Sequence, residues 1–195
     1  MNLQIQNGSP IYRKTYAGPY SDPLGDPAEG GNYIGRLADR DRGIVVGNAL
    51  INESVDIILV AAGFASRGAF LAAAENGNVN VIGADRNQFG THWFNYEQGW
   101  PDQQIFMTSV RRRFDTAVRN ILNEVSRGNL IGENKTLGVE GGYIDFVSTP
   151  AAHHLMTGGT ITRANDVVSQ MANGTIVPAS HTNPHTPTSF PGLPQ

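Results

Sequence analysis

The fold is decided by the segment VDIILVAAGFASRGAFLAAAENGNVNVIGADRNQ, which occupies residues 55–88. Residues 55–62 are apolar with almost no alternation, which is typical of a parallel strand covered on both faces. Residues 67–76 have the apolar spacing of a helix, and 79–84 form a second short apolar strand that ends before Asp85. The segment therefore predicts a strand–helix–strand unit with parallel strands and a right-handed crossover.

Helices and strands continue to alternate on both sides of this unit. The helix predicted over 112–127 has the most regular pattern, because its apolar residues form one stripe at helical spacing. The order predicts an α/β fold, a parallel sheet in a three-layer sandwich, with ligands bound off the carboxyl ends of the strands. The stripe consists of Phe114, Val118, Ile121, Leu122 and Val125. The other predicted elements are strands at 11–17, 104–108, 136–139 and 176–177, and helices at 42–52 and 164–173, the last with Val167, Val168 and Met171 facing inward.

The sequence predicts one domain, residues 1–178, followed by a tail over residues 179–195. The tail is rich in Pro, Thr, Ser and His. Such a composition buries too little apolar surface to offset the entropy of ordering, so we expect the tail to be disordered. Two long loops, 18–38 and 86–103, interrupt the domain, and loops of this length tend to be functional or disordered.

Composition excludes several classes of function. The 195 residues include 14 Lys and Arg against 17 Asp and Glu, for a net charge of −3. This balance gives no support for nucleic-acid binding, which needs concentrated positive charge. The chain has no Cys, which excludes disulfides, zinc–thiolate sites, iron–sulfur clusters and cysteine nucleophiles.

Targeting segments and common catalytic motifs are absent from the sequence. No apolar run approaches the ~20 residues that span a bilayer, and residues 1–10 lack the basic and apolar regions of a signal peptide. Without a recognisable catalytic or phosphate-binding motif, we predict no catalytic residue and no cofactor. His153 and His154 are adjacent, and prolines prevent His181 and His185 from sharing a helix face, so we predict no metal site.

Three residues at the predicted strand ends are candidates for ligand binding. The carboxylate of Asp85 could accept hydrogen bonds from a vicinal diol such as a ribose, or it could only cap the next turn. Gly63 leaves room for a ligand close to the backbone, or it only permits the strand-to-helix turn. Phe64 could stack on a flat ring, or pack under its own loop.

An arginine run, Arg111 to Arg113, precedes the amphipathic helix. Cations at a helix N-terminus oppose its dipole, so at least one of these side chains is expected to have a role other than helix stability. At most one or two can face a ligand cleft. The alternative is that the run is a solvated surface.

The ordered motifs of the chain resemble the basic membrane protein family, the purine-nucleoside-binding lipoproteins of bacterial ABC importers. In that family a strand ending in Ala-Ala-Gly precedes a helix and a strand ending in Gly-x-Asp-x-(Asp/Asn)-Gln, which here are residues 61–63 and 83–88. The similarity covers roughly residues 11–178. Further matching segments are RGIVVGNALINESVDII (42–58), MTSVRRRFDTAVRNIL (107–122), LGVEGGYIDF (137–146) and NGTIVP (173–178).

The resemblance implies one lobe of a type I periplasmic-binding-protein fold, in which two lobes close over a purine nucleoside. It implies that Asp85 binds the ribose hydroxyls, that Gly63 lines the cleft, and that Arg112 takes the place of a ligand-facing Lys. Arg is longer and less compact than that Lys. The implied partners are the nucleoside and the permease of an ABC transporter.

The chain departs from the family pattern in extent. It is expected to correspond to the C-terminal lobe only, a truncated product or a lobe that works beside a missing first lobe or a second copy. The surface that meets the first lobe is expected to be partly apolar. The resemblance implies an extracytoplasmic, membrane-associated lipoprotein, whereas the lack of a signal peptide in the sequence would fit a cytoplasmic one.

Three functions follow in order of support. The first is the solute-binding component of a nucleoside importer, which needs no catalytic group. The second is a cytoplasmic ligand-sensing regulator of the same fold. The third is an α/β enzyme acting on nucleosides, which would need paired carboxylates or a metal set where only Asp85 stands at a strand end.

Overall fold

The computed structural model of the chain describes residues 2–4, 10–12, 34, 37–89, 105–129, 132, 134–148 and 155–177. Four strands in this part form a mixed sheet and two form a separate pair. The strands are β1 (Asn2–Gln4), β2 (Pro10–Tyr12), β3 (Ile57–Leu59), β4 (Asn80–Gly83), β5 (Phe106–Arg112) and β6 (Ile144–Phe146). The helices are α1 (Arg40–Asn52), α2 (Ser66–Asn76), α3 (Phe114–Ser126) and α4 (Gly158–Ala172), with 3₁₀ turns at Gly63–Ala65 and Val139–Gly141.

The mixed sheet has the order β3–β4–β5–β6. Its first three strands are parallel, with Ile58 opposite Val81 and Val81 opposite Phe106. β6 is antiparallel to β5 and pairs Phe146 with Val110. β1 and β2 form a separate antiparallel pair. The parallel pairing brings the carboxyl ends of β3, β4 and β5 to one edge of the sheet.

The core lies between the sheet and the α1–α2 layer. Phe70 of α2 meets Phe106 of β5 edge to face, with ring centroids 4.9 Å apart, and Val81 is fully buried beside them. Burial of this kind is the main stabilising contribution to folding. The opposite face of the sheet is open at β3, where Ile57 is 42% and Leu59 63% exposed.

Glycines set the approach of α1 to α2. A Cβ atom on Gly68 would collide with the carbonyl oxygen of Arg40, and one on Gly43 would collide with the carbonyl oxygen of Ala65. Side chains at these positions would therefore push the helices apart. The close contact depends on backbone meeting backbone, which only glycine permits here.

The fold class predicted from the sequence is confirmed, since the structure is an α/β fold with a mostly parallel four-stranded sheet. The strand–helix–strand unit at 55–88 is confirmed as β3, α2 and β4. The helix predicted over 112–127 is α3, although Arg111 and Arg112 belong to β5. The strand predicted at 104–108 is β5, which extends four residues further.

Other predictions of local structure are wrong. The strand predicted at 136–139 is absent, and a 3₁₀ turn leads instead into β6, which is antiparallel where all strands were predicted parallel. Residues 176–177 form no strand. α4 begins six residues before its predicted start, and Val167, predicted to face inward, is exposed.

Some predictions fall outside the described residues. Of the strand predicted at 11–17, residues 11 and 12 belong to β2 and the rest lie outside. The tail at 179–195 lies outside as well. The predicted loops 18–38 and 86–103 are described only at 34, 37–38 and 86–89.

Replacing the glycine at the α1–α2 contact tests this packing. We expect Gly68→Ala to lower the free energy of unfolding by about 3 kcal/mol, because the added methyl meets backbone that cannot yield locally. The control is Gly158→Ala at the first residue of α4, where a Cβ would have open space around it. Urea denaturation of both variants should show a large loss for the first and little change for the second. Equal effects would contradict the packing described.

Candidate functional site

The candidate site lies where the three parallel strands end. Arg112 is the last residue of β5, Asp85 follows β4 by two residues, and Gly63 follows β3 by four. In open α/β sheets this edge is where ligands bind. The sequence placed its candidate residues here, and the structure shows how each is held.

Asp85 and Arg112 are brought into direct contact. The guanidinium Nη2 of Arg112 lies 2.5 Å from the Oδ1 of Asp85, and the backbone N–H of Arg112 donates to the Asp85 carbonyl oxygen at 3.0 Å. The side chain of Arg112 is 58% exposed and that of Asp85 is 44% exposed. The pair is therefore positioned by the backbone and open to solvent.

The backbone of Asp85 has an unusual conformation. Its φ of 72° lies in the left-handed region, which a residue with a side chain rarely adopts, although Asp tolerates it better than most. This conformation costs free energy and persists because the surrounding structure imposes it. The turn it makes leads directly from β4 into the next segment.

Hydrogen bonds from Gln88 hold that turn. The Gln88 backbone N–H donates to the Oγ of Ser109, a buried residue of β5, at 3.1 Å, and Gln88 Nε2 donates to the carbonyl oxygen of Ala84 at 2.8 Å. Gly83 makes room for this arrangement, since a Cβ there would collide with the Gln88 side chain. The Gly-x-Asp-x-x-Gln spacing thus has a structural reason in its first and last residues.

Gly63 and Phe64 form a second part of this edge, after β3. Gly63 has a φ of 57°, and a Cβ on it would approach the Leu37 side chain to 3.3 Å, so glycine is favoured at this turn. Phe64 is half-exposed, and the guanidinium carbon of Arg67 lies 5.0 Å from its ring centroid. The Phe64 ring is therefore partly exposed to solvent and makes a cation–π contact with Arg67.

The three arginines have separate partners. Arg111 makes a two-point contact with Asp145, Nε to Oδ1 at 2.7 Å and Nη2 to Oδ2 at 2.6 Å. Arg113 contacts the same Asp145 through Nη1 at 3.1 Å and pairs with Asp115. Arg112 points to Asp85, and its guanidinium carbon lies 5.4 Å from the centroid of the Phe114 ring. Arg111 and Arg113 are therefore paired with carboxylates and not only solvated.

The pairing of Arg113 with Asp115 shifts the pKa of both groups. Side-chain hydrogen bonds from Arg113 lower the pKa of the Asp115 carboxyl well below its usual range, against a smaller opposing effect of desolvation. Hydrogen bonds to Asp115, and then to Asp145, raise the pKa of Arg113. Both groups therefore stay charged at neutral pH.

Asp145 is the residue of this edge that the sequence did not single out. It is the one carboxylate in LGVEGGYIDF that lies opposite Arg111 across the β5–β6 pair. The signal was present, since a single acid in a short apolar strand is expected to have a cationic partner. The partner could not be identified without knowing that β6 runs antiparallel to β5.

The described residues contain neither a group of side chains that could hold a metal ion nor a helix that could span a membrane. No three His, Asp or Glu side chains in this part of the chain are grouped closely enough to hold a metal ion. No helix among the same residues is both long and apolar enough to cross a membrane.

Comparison with known families identifies the chain's relatives. A model of the Bmp family, described as the ABC transporter substrate-binding protein PnrA-like family, matches residues 31–179. The chain belongs to this family. The match includes the four strands of the mixed sheet and the four helices that the structure describes, and the Bmp family is the one that the sequence motifs resemble.

Solved structures similar to this Bmp-family chain include two ABC transporter solute-binding proteins. The one from Aeropyrum pernix K1 is 19% identical, with a TM-score of 0.58, and the match covers 77% of this chain and 48% of that one. The one from Conexibacter woesei DSM 14684 is 15% identical, with a TM-score of 0.56 and coverages of 75% and 45%.

A third similar structure, a transcriptional activator of the comK gene from Bacillus halodurans, is 16% identical, with a TM-score of 0.60 and coverages of 75% and 47%. The chain thus spans about half the length of the solved structures it matches. At these identities the similarity shows a shared fold. A search of curated proteins found no match.

Removing the shared carboxylate of the arginine pairs tests the β5–β6 contact. We expect Asp145→Asn to lower the free energy of unfolding by about 1 kcal/mol, because Arg111, which is partly buried, loses its counter-charge while Arg113 keeps Asp115. Urea denaturation measures the change. The matched control is Asp166→Asn, which removes an exposed carboxylate of α4 and should have an effect within about 0.5 kcal/mol. A loss no larger than in the control would contradict the assignment.

The lowered pKa of Asp115 predicts a dependence of stability on pH. Because the carboxyl binds its proton less readily in the folded state than in the unfolded state, its contribution is complete above the unfolded pKa of about 3.9 and declines as the pH falls below it. The difference in urea midpoint between the parent chain and Asp115→Asn should therefore be largest near pH 6 and smaller at pH 3. A difference that stays constant over this range would argue against the pairing.

Proposed function

We propose that the chain is a solute-binding component of an ABC importer and that its ligand is a purine nucleoside. The observation that carries the proposal is the Asp85 carboxylate, half-exposed at the carboxyl edge of the parallel sheet and held there by Arg112. Membership of the Bmp family supports a small-molecule ligand and a transporter partner.

In this proposal Asp85 accepts hydrogen bonds from the two ribose hydroxyls. An ionised carboxylate accepts up to about four hydrogen bonds, so a vicinal diol can bind it at two points. Hydrogen bonds to a charged acceptor are roughly twice as strong as neutral ones. The left-handed backbone at Asp85 fixes the direction of the carboxylate before the ligand arrives, which reduces the entropy lost on binding.

Arg112 is proposed to position this carboxylate and to face the ligand. Its side chain is the more exposed of the pair, so it can turn aside while its backbone N–H still bonds the Asp85 carbonyl oxygen. The guanidinium also limits which ligands bind. Arg112 would repel a ligand with a cationic group near the diol, whereas a neutral nucleoside has no charge to be repelled.

Gly63 and Phe64 are proposed to contact the base. Gly63 keeps the strand-to-helix turn free of side-chain atoms, and the half-exposed ring of Phe64 offers a flat surface for stacking. Such stacking on an aromatic ring is worth about 1–3 kcal/mol per base. Phe64 and Asp85 lie after neighbouring strands of the sheet, which suits a ligand with a flat ring at one end and a diol at the other.

The partners proposed with this function are an ABC permease and a first lobe, from a separate chain or a longer one, that completes the cleft. The location proposed is extracytoplasmic and membrane-associated, as the family implies. One lobe encloses less of a ligand than two, so binding by this chain alone should be weak.

Calorimetric titration tests the proposal. Adenosine, guanosine and inosine at millimolar concentration should each be titrated into the chain, with cytidine as the pyrimidine comparison. We expect heat of binding for at least one purine nucleoside. The Asp85→Asn variant should bind it at least ~10-fold more weakly, since a charge-assisted hydrogen bond is worth about 1.5–3 kcal/mol.

Two variants make the result specific. Arg112→Lys, which restores the residue that the family resemblance implies, should keep binding within a few-fold. Asp166→Asn removes a carboxylate far along the chain and should leave affinity unchanged. The proposal fails if no purine nucleoside gives heat, or if Asp85→Asn binds as tightly as Asp166→Asn.

A ligand-sensing regulator is the second candidate function. One of the similar structures is a transcriptional activator, which has the same fold as the solute-binding proteins. The same site would then bind its ligand in the cytoplasm and act on a regulatory partner. Fractionation of cells that produce the protein separates the two, because an importer component should accompany the membrane or periplasm and a regulator the cytosol.

A further inference from the structure

The apolar stripe of α3 is exposed and is not covered by any other described part of the chain. None of the helix's 13 residues is buried, and the five apolar side chains of the stripe are each between 50% and 62% exposed. A stripe at this spacing is typical of a helix that packs on a sheet. Exposed contiguous apolar patches of this kind mark interaction surfaces. The five residues are Phe114, Val118, Ile121, Leu122 and Val125.

The sheet offers the surface that such a helix would cover. β3 is apolar on both of its faces, yet α1 and α2 cover only the side of Ile58. On the other side Ile57 and Leu59 are exposed. Among the residues that the structure describes, one chain therefore presents an exposed apolar helix face and an exposed apolar sheet face.

The joint between β5 and α3 is short and is fixed by hydrogen bonds. A single residue, Arg113, separates the strand from the helix, whereas strand-to-helix loops usually have about 2–6 residues. The backbone N–H of Arg113 donates to the Tyr143 carbonyl oxygen at 2.7 Å, and its side chain contacts Asp115 and Asp145. Asn120 of α3 also donates to the Tyr143 hydroxyl at 3.1 Å.

We propose that two copies of the chain form a dimer by exchanging α3, so that the helix of each covers the β3 face of the other. A short, fixed hinge favours exchange of this kind. A second copy of the chain carries both the helix stripe and the sheet face. A two-fold arrangement of two copies would therefore bury two helix–sheet contacts at once. A 13-residue helix is about 20 Å long. Two such contacts bury on the order of 1,200 Å² in total, which reaches the size of stable interfaces.

Cross-linking tests the exchange directly, because the chain has no Cys of its own. A variant with Leu59→Cys and Leu122→Cys places one thiol on the exposed sheet face and one on the helix stripe. A short bis-maleimide reagent bridges thiols about one helical turn apart, which allows for the register of the helix. Exchange predicts a cross-linked species of two chains on a reducing gel.

The matched control places the helix thiol on the opposite side. Leu59→Cys with Asn123→Cys should give little cross-linked dimer, since Asn123 is about 160° around the helix from the centre of the stripe at 100° per residue. A cross-link within one chain, which stays at the monomer mass, would show that α3 covers its own sheet and would overturn the proposal. Equal dimer yields from both variants would overturn it too.

Light scattering of the unmodified chain provides an independent measurement. We expect a mass of twice the 21.0 kDa of one chain, falling toward one chain on dilution. Leu122→Asp should weaken dimerisation at least ~100-fold, because it places a charge in the apolar contact, whereas Asn123→Asp should leave it unchanged. A monomer at all concentrations overturns the proposal. This outcome is independent of nucleoside binding, which calorimetry measures separately.

Discussion

The parallel direction of β3, β4 and β5 is the constraint on which the rest of this structure depends. β3, β4 and β5 are parallel, and β3 is apolar on both sides, which is why no alternation is visible in residues 55–62. α1 and α2 cover one face through a contact so close that glycines are needed at positions 43 and 68. The same parallel direction brings three strand ends together and so creates the edge at which Asp85 and Arg112 meet.

The parts of the fold that the sequence predicted are those determined by local pattern. The unit from β3 to β4 is contiguous, its strands are apolar, and its helix ends at a glycine in the left-handed conformation, Gly77. α3 was predicted because its apolar periodicity is regular. β6 was not, because its pairing with β5 joins residues some 35 positions apart and its three residues carry little pattern. α4 begins at Gly158-Gly159, two poor helix formers, with Thr157 capping the amide of Thr160. A helix start that depends on a capping side chain is hard to find from apolar spacing.

In the candidate site too, some residues could be identified from local sequence pattern and others only from the fold. Asp85 and Gly63 were identifiable because each follows a buried strand, and side chains at that position share one edge of the sheet. Which of the three arginines reaches Asp85 could not be decided until Asp145 was known to bind Arg111 and Arg113. Their charges are satisfied on the β6 side, and Arg112 is the one directed to the strand end. The selection is therefore made by a long-range ion-pair network, which spacing alone does not encode.

The shortness of β3 has a consequence for how the chain behaves when it is produced in quantity. β3 is the outer strand of the sheet as far as the chain is described, and Ile57 and Leu59 on it are exposed to other molecules. A foreign strand that paired with it would gain only a three-residue ladder, too little to template fibril growth. Association of the folded protein at high concentration should therefore occur through the apolar face of β3 rather than through pairing of its edge.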